Sequence, residues 1–359
     1  MSYERENIRN MLGYTWGEQP QDESIIKLNT NENPYPPSPR VAQALASYDV
    51  TNLRRYPQPT ADKLRKLIAQ IHDISMDNIV ITNGSDEFLR LAFTTFLEPG
   101  EPFGMTDPSY SLYSTLAEIH GSPVIRIPLT EDWDLPRDFA HRLNGEGVRL
   151  TNLVCPQTPS GKLIDLDTLS RIANELNGVL IVDEAYVDFV DPSLRHETIN
   201  LIRAFDNLFL LRTLSKGYSL AGLRVGFAMG QADLISPVLT KTRDSYNVST
   251  LSQELSIAAL GDAANAEAVW DKVRAERRRL REQLRQRNFT VPASQANFLL
   301  AELPIDSKTS AKELYEGLKR LGILVRYFDV PGLDDKLRIS IGDAKQIDRL
   351  LEAIDSLMK

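Results

Sequence analysis

From about residue 60 the chain alternates between two kinds of apolar pattern. "TADKLRKLIAQIH" (60–72), "SDEFLRLAFTTFL" (85–97) and "LDTLSRIANEL" (166–176) repeat apolar residues at helical spacing, and "SYSLYSTLAEIH" (109–120) reads as a further helix. Between them lie short, nearly continuous apolar runs: "NIVIT" (78–82), "SPVIRIPL" (122–129), "VRLTNLVC" (148–155), "GVLIVDEAY" (178–186) and "NLFLLRT" (207–213). Runs of this length separated by helices are the pattern of parallel strands covered on both faces. The reading is an α/β domain with a mostly parallel sheet flanked by helices, over residues 31–245.

A second unit follows. The polar-rich helix "NAEAVWDKVRAERRRLREQLRQRN" (265–288) leads into strand "NFLLAEL", helix "SAKELYEGLKRL", strands "ILVRYF" and "KLRISIG", and a final helix from about 344. This predicts a smaller α+β domain over 246–359, joined by an N-terminal arm, 1–30. Pro34, Pro36, Pro37 and Pro39 in "NENPYPPSP" exclude a helix interior, so the arm continues in extended form with turns. Glutamates interspersed in "RAERRRLREQLRQR" make it a solvated helix face rather than a nucleic-acid footprint.

Composition changes this picture little. The 359 residues are 42% hydrophobic and 25% charged, as in ordinary globular proteins, and the net charge of −8 argues against bulk attraction to nucleic acid or anionic membranes. An anionic substrate must therefore be met by a local cluster of cations. Cys155 is the only cysteine, so no internal disulfide can form, which fits a reducing compartment. "MSYERENIRNMLGY" has no secretory pattern and no run approaches a membrane span, so a cytoplasmic location is expected. The four histidines are scattered singly, and no metal site is expected.

Candidate chemistry gathers at predicted strand ends, where open α/β sheets bind ligands. "TNGSDE" (82–87) opens a helix with Gly84, with Ser85 as expected N-cap and Asp86 in the first turn. Its free N–H groups would suit a phosphate, or simply form a well-capped helix. Asp183 and Tyr186 follow a buried run in "VDEAY", and such a carboxylate needs a cationic or hydrogen-bonding partner. Lys216 in "RTLSKGYSLAGLRVGF" follows Ser215 after a strand, with Arg224 eight residues on. A lysine in such a setting has its pKa lowered and can act as an amine nucleophile. Tyr110 in "DPSYSLY" could present a ring face or pack in the core.

In this order, Gly-Ser-Asp, Asp-Pro-x-Tyr, Asp-Glu-x-Tyr, Ser-Lys and Gly-x-Arg resemble the fold-type-I enzymes of pyridoxal 5′-phosphate. "NENPYPPSP", "RRYP", "DEAY", "RTLSKGYSLAGLRVG" and "LRISIG" are similar to the histidinol-phosphate aminotransferase family, from about Tyr14 to the C-terminus. The resemblance implies transamination of L-histidinol phosphate with 2-oxoglutarate, by a homodimer with shared sites. It implies that Lys216 forms the Schiff base with the cofactor and moves the substrate proton. It also implies that Asp183 pairs with the ring nitrogen, Tyr186 bonds the ring O3′ and Tyr110 stacks on the ring. Ser85, Asp86, Thr213, Ser215 and Arg224 would hold the phosphate, with Tyr56 reaching in from the partner subunit. Tyr14, Asn33, Arg326 and Arg338 would bind substrate, Arg338 on a carboxylate and Arg326 on a phosphate, with Asn297 lining or bracing the region.

One departure stands out. "CPQTPSG" (155–161) places Thr158 where the family has an asparagine bonding the ring O3′. Thr158 could reach O3′ directly or through water, or Gln157 could substitute. An aromatic amino-acid aminotransferase, a threonine-phosphate decarboxylase and a non-catalytic cofactor-binding module share most of these motifs. Lys216 and the lack of a large added N-terminal segment speak against the last.

Overall fold

The structure, a computed structural model, describes residues 2–358. Its strands are β1 Ile26–Lys27, β2 Ile79–Thr82, β3 Phe103–Asp107, β4 Val124–Pro128, β5 Leu150–Val154, β6 Val179–Asp183, β7 Leu208–Thr213, β8 Gly226–Met229, β9 Phe298–Glu302, β10 Ile323–Leu324, β11 Arg326–Tyr327 and β12 Lys336–Ser340. A seven-stranded sheet in the order β2-β8-β7-β6-β5-β3-β4 forms the large unit. Six strands run one way, and β8 alone runs antiparallel to both its neighbours.

Strand alternation sends side chains to two cores, one on each face. In β6 and β7, Leu180, Val182, Leu208 and Leu210 pack on one side, and Ile181, Phe209 and Leu211 on the other. Both faces are covered by helices, so the apolar runs are continuous rather than alternating. Helices Asp62–His72 and Leu166–Glu175 serve the first face, Ser85–Phe96 and Ser111–His120 the second.

β8 explains where the lysine falls. An antiparallel return from β7 needs no helical crossover, so the chain turns back through a loop between Thr213 and Gly226. Leu214 N donates to Val225 O at 3.0 Å and closes the loop's base. Lys216 stands in that loop, at the edge where β6 and β7 end.

The smaller unit holds an antiparallel sheet, β11-β12-β9, and a parallel pair, β1-β10. "ILVRYF", expected as one strand, is split. Ile323 and Leu324 pair with Ile26 and Lys27 of the arm, while Arg326 and Tyr327 pair with Arg338 and Leu337. The arm thus adds a strand to the small unit, and Ser340 N donating to Leu28 O at 2.9 Å secures it there.

The helix Thr250–Leu260 places Leu255, Ala259 and Leu260 in the core of the large unit. Packing passes to the small unit along the Ala263–Gln286 helix, through Val273, Leu280 and Leu284, which join a core that Phe189 of the large unit also enters. We therefore propose the division between units at the start of that helix rather than at 245/246. Among the described residues no helix is long and apolar enough to cross a membrane.

Candidate active site

Strands β2, β3, β5, β6 and β7 end on one edge of the large sheet, and the predicted residues follow those ends. Asp183 is the last residue of β6 and is buried. Its two oxygens are held separately: Tyr113 Oη donates to Oδ2 at 2.7 Å, and Ala185 N donates to Oδ1 at 3.1 Å. Burial pushes its carboxyl up to about 6, against the pull of these two donors, and neighbouring Asp86 and Glu184 push the same way as burial. The site therefore calls for a cation at Asp183.

Lys216 Nζ donates to Thr30 O at 2.9 Å, which links the loop to the arm. Burial draws its amine down to about 8, with Glu32 opposing and Arg338 adding to the fall. A buried amine in that range holds a useful neutral fraction near neutral pH. Its main chain is held as well. Asn33 Nδ2 donates to Lys216 O at 3.0 Å, and Trp270 Nε1 donates to Gly217 O at 2.9 Å. Asn33 thus braces the lysine.

A cup lies beside the lysine. Ser85 is the first residue of its helix, not the N-cap expected of it; that place belongs to Gly84, at φ 76° and ψ 165°, and no side chain caps the helix. Only glycine adopts this backbone cheaply, and the helix opens with bare N–H groups. A Cβ on Gly84 would collide with the Arg224 guanidinium, and one on Gly226 with Ser85 N. Arg224 Nη2 lies 3.3 Å from Asp86 Oδ2, and Nη1 3.5 Å from Ser215 Oγ. Thr213 Oγ1 donates to Ser215 Oγ at 2.9 Å and accepts from Ser215 N, so it fixes Ser215. Uncapped helix N–H groups, a guanidinium and a hydroxyl in a glycine-walled hollow fit a phosphate.

Tyr186, on the far side of Asp183, accepts at its hydroxyl from Asn31 Nδ2 at 3.0 Å. Asn31 is itself held by Ser340 Oγ and by Asn297 Nδ2, which donates to Asn31 O at 2.9 Å. Tyr110 lies edge-on to Tyr14 at 6.0 Å and to Tyr113 at 5.5 Å, beside the Asp86 carboxyl. Gln157 is spent internally: it donates to Pro108 O and Thr158 O and accepts from Ser160. Thr158 instead accepts from Arg338 Nη1 at 3.3 Å, which leaves its own O–H free to donate.

Arg326 and Arg338 stand directly opposite each other in the β11–β12 register. Like charges in that position are destabilising. Among the described residues neither guanidinium has a carboxylate partner, and Arg338 Nε is buried with no partner at all. Both lie 5.5 Å from the ring of Phe328. Such an arrangement is suited to an anion brought from outside. Tyr56 stands apart, 81% exposed and stacked at 4.6 Å on Tyr246, at the rim of an open cavity of about 690 Å³ that Arg224 also lines.

Sequence reasoning did not find Tyr113, Phe328, Asn31 or Trp270. Tyr113 lies three residues after Tyr110 in a helix, where core packing is the ordinary reading. Phe328 lies just past the end of β11, two residues after Arg326, and it comes near both arginines only because Arg338 sits opposite Arg326.

A buried carboxylate, an amine of lowered pKa, a glycine-walled anion cup and a facing pair of arginines without an acidic partner among the described residues define an enzyme that works on amines with a phosphorylated cofactor. The chain belongs to the aminotransferase class I and II family, whose sequence profile matches residues 23–354. It is 42% identical over 359 residues to histidinol-phosphate aminotransferase 1 of a Nostoc species, covering 100% of this chain and 99% of that protein. It is 41% identical to the histidinol-phosphate aminotransferase of Rippkaea orientalis, covering 98% of each. The histidinol-phosphate aminotransferase of Sinorhizobium meliloti, solved with pyridoxal-5′-phosphate, superposes with a TM-score of 0.90 at 22% identity, covering 100% of this chain and 98% of that one.

Proposed function

We propose that the chain is a pyridoxal-phosphate-dependent aminotransferase that takes the amino group of L-histidinol phosphate and passes it to 2-oxoglutarate. The observation that carries the substrate class is the Arg326–Arg338 pair, two facing guanidiniums without a carboxylate between them. Phosphate and carboxylate are the planar or multidentate acceptors that such forks hold best. The relatives at about 40% identity, named for histidinol phosphate, support the same choice.

Bound pyridoxal phosphate supplies a carbonyl for the amino group and an electron-poor ring that stabilises negative charge at the neighbouring carbon. The residues of this chain do the rest. The bare N–H groups of Ser85 and Asp86, with Ser215 and Arg224, hold the phosphate, and Thr213 fixes Ser215 in place. Asp183 would pair with the ring nitrogen and keep its proton there. Lys216 Nζ takes the proton from the substrate carbon and returns it, its lowered pKa matching that task. Thr158 O–H and Tyr186 Oη would hydrogen-bond the ring oxygen, and Tyr110 would cover the ring. Arg326 takes the substrate phosphate, with Tyr14 beside it, and Arg338 takes the carboxylate of glutamate or 2-oxoglutarate.

The active unit in this reading is a cytoplasmic homodimer. The exposed Tyr56 and the open cavity it shares with Arg224 support a partner surface there. The deciding experiment is a single-turnover panel with L-histidinol phosphate, phenylalanine, tyrosine and threonine phosphate, with 2-oxoglutarate as acceptor. Preference for an unphosphorylated aromatic donor would overturn the phosphate reading. Release of carbon dioxide from threonine phosphate would point to decarboxylation instead.

A further inference from the structure

Tyr113 is 0% exposed in a core it shares with Phe88, Phe93, Phe103 and Phe209, where a phenylalanine would fill the same space. Its hydroxyl is therefore the feature that needs an explanation. Burying a phenol costs free energy unless it finds a partner, and the partner here is Asp183 Oδ2 at 2.7 Å. The groups facing Asp183 are few. Tyr113 approaches from the helix Ser111–His120, with Tyr110, just before that helix, edge-on to its ring; Asp86 comes from the helix Ser85–Phe96, and Glu184, Ala185 N and Tyr186 from the segment after β6. Asp86 and Glu184 disfavour the Asp183 anion, Ala185 N steadies Oδ1, and among the described residues Tyr113 is the one side chain that donates to the carboxylate.

We infer that Tyr113 is a positioning residue, which holds Asp183 as an oriented anion toward the cofactor's ring nitrogen and so governs the affinity of the apoenzyme for pyridoxal phosphate. The inference rests on the reading of Asp183 proposed above. One donor on each oxygen fixes the carboxylate plane and leaves lone pairs for the ring nitrogen. Without the phenol, Asp183 loses a donor that favours its charged form and takes up a proton at higher pH. Binding a protonated ring nitrogen then requires that proton to leave, a burden that grows as pH falls.

The test is the dissociation constant of pyridoxal phosphate from apoenzyme, by absorbance titration at pH 6 and pH 8. Wild type, Tyr113→Phe, Asp183→Asn and the double variant are compared. Tyr113→Phe should bind roughly 5- to 50-fold more weakly at pH 6, with a smaller deficit at pH 8. In the Asp183→Asn background the same change should matter by no more than about two-fold, because the charge it serves is gone. Tyr113→3-fluorotyrosine keeps the shape with a stronger donor and should shift affinity the opposite way. It also stands in should the phenylalanine protein not fold. An equal deficit in both backgrounds, or none in either, would mean Tyr113 only fills space. If Asp183→Asn binds like wild type, or wild-type apoenzyme takes up no pyridoxal phosphate, the reading of Asp183 or of the cofactor falls, and the role of Tyr113 with it.

Discussion

The two halves of the candidate site differ in how their charges are satisfied. In the half built on the large sheet, the protein partners its own charged groups. Asp183 is held by Tyr113 and Ala185, Arg224 leans on Asp86 and Ser215, and Lys216 donates to Thr30. In the half built on the small unit, Arg326 and Arg338 face each other without an acid between them; among the described residues Arg338 donates only to the neutral Thr158 Oγ1 and Asn29 O, and its Nε has no partner. The first half is preorganised for a resident group, and the second leaves donor capacity for molecules that come and go. Partnered charges hold geometry, whereas unpartnered ones provide binding energy when a ligand arrives.

The largest effect should come from removing the group in the first half that we propose does the covalent and proton-transfer work. Lys216→Ala should lose roughly 1,000-fold or more in turnover, since both nucleophile and base vanish. It should still take up pyridoxal phosphate, because the cup and Asp183 remain, but borohydride should no longer fix the cofactor to the chain. Substantial transamination by that variant would break the assignment. Next comes Asp183→Asn, whose amide cannot hold a proton on the ring nitrogen. A loss of roughly 100-fold or more is expected in the single-turnover half-reaction, on the scale of a preorganised electrostatic contact.

The second half is probed by Arg326→Gln. A charge-assisted, partly desolvated contact to phosphate is worth about 1.5–3 kcal/mol, so kcat/KM for L-histidinol phosphate should fall roughly 10- to 200-fold. The half-reaction with phenylalanine should change much less. Arg338→Gln should instead weaken donors and acceptors that carry an α-carboxylate, glutamate above all. Because the two arginines are register partners, each removal also relieves the other of a like charge. The double variant should therefore lose less than the two single losses combined, and strict additivity would separate the two positions into independent subsites.

The sequence made one half far more legible than the other. Asp183, Lys216, Ser215 and Arg224 follow strands whose apolar runs are unmistakable, and strand ends are where such sheets bind ligands. The arm and the small sheet are harder, because two-residue strands such as β1 and β10 carry no periodicity. The split at Val325 leaves Ile323 and Leu324 paired with the arm, whose partner residues lie 297 positions earlier in sequence. Gly84 rather than Ser85 takes the N-cap because its backbone lies at positive φ, and the letters "GSD" fit either arrangement. Nothing in "DPSYSLY" marks the Tyr113 hydroxyl, because its partner, Asp183, lies 70 residues further along the chain.

The smallest effect tests whether the first half is built for a resident cation, and it is read in stability rather than rate. In the apoenzyme Asp183 titrates near 6, against 3.8 for the free side chain, because burial penalises its charge. A folded-state pKa raised in this way gives a contribution that is fully present below about 4 and is lost as pH rises through 6. At 1.36 kcal/mol per unit, the ionised carboxylate costs the apoenzyme about 3 kcal/mol at pH 8. Asp183→Asn removes that cost without emptying the site, since its oxygen can accept from Ala185 N and the Tyr113 hydroxyl can turn to accept from the new amide. Apo Asp183→Asn should therefore melt roughly 2–5 °C above apo wild type at pH 8, with the difference shrinking toward pH 4. His72, buried and drawn down to about 3, has the opposite sign and destabilises the fold as pH falls below 6.5, but it is common to both proteins and cancels. Saturating pyridoxal phosphate should reverse the order, because the ring nitrogen supplies the missing cation to wild type alone. If apo wild type is the more stable protein at pH 8, Asp183 is a structural acid, and the contrast between the two halves of the site does not hold.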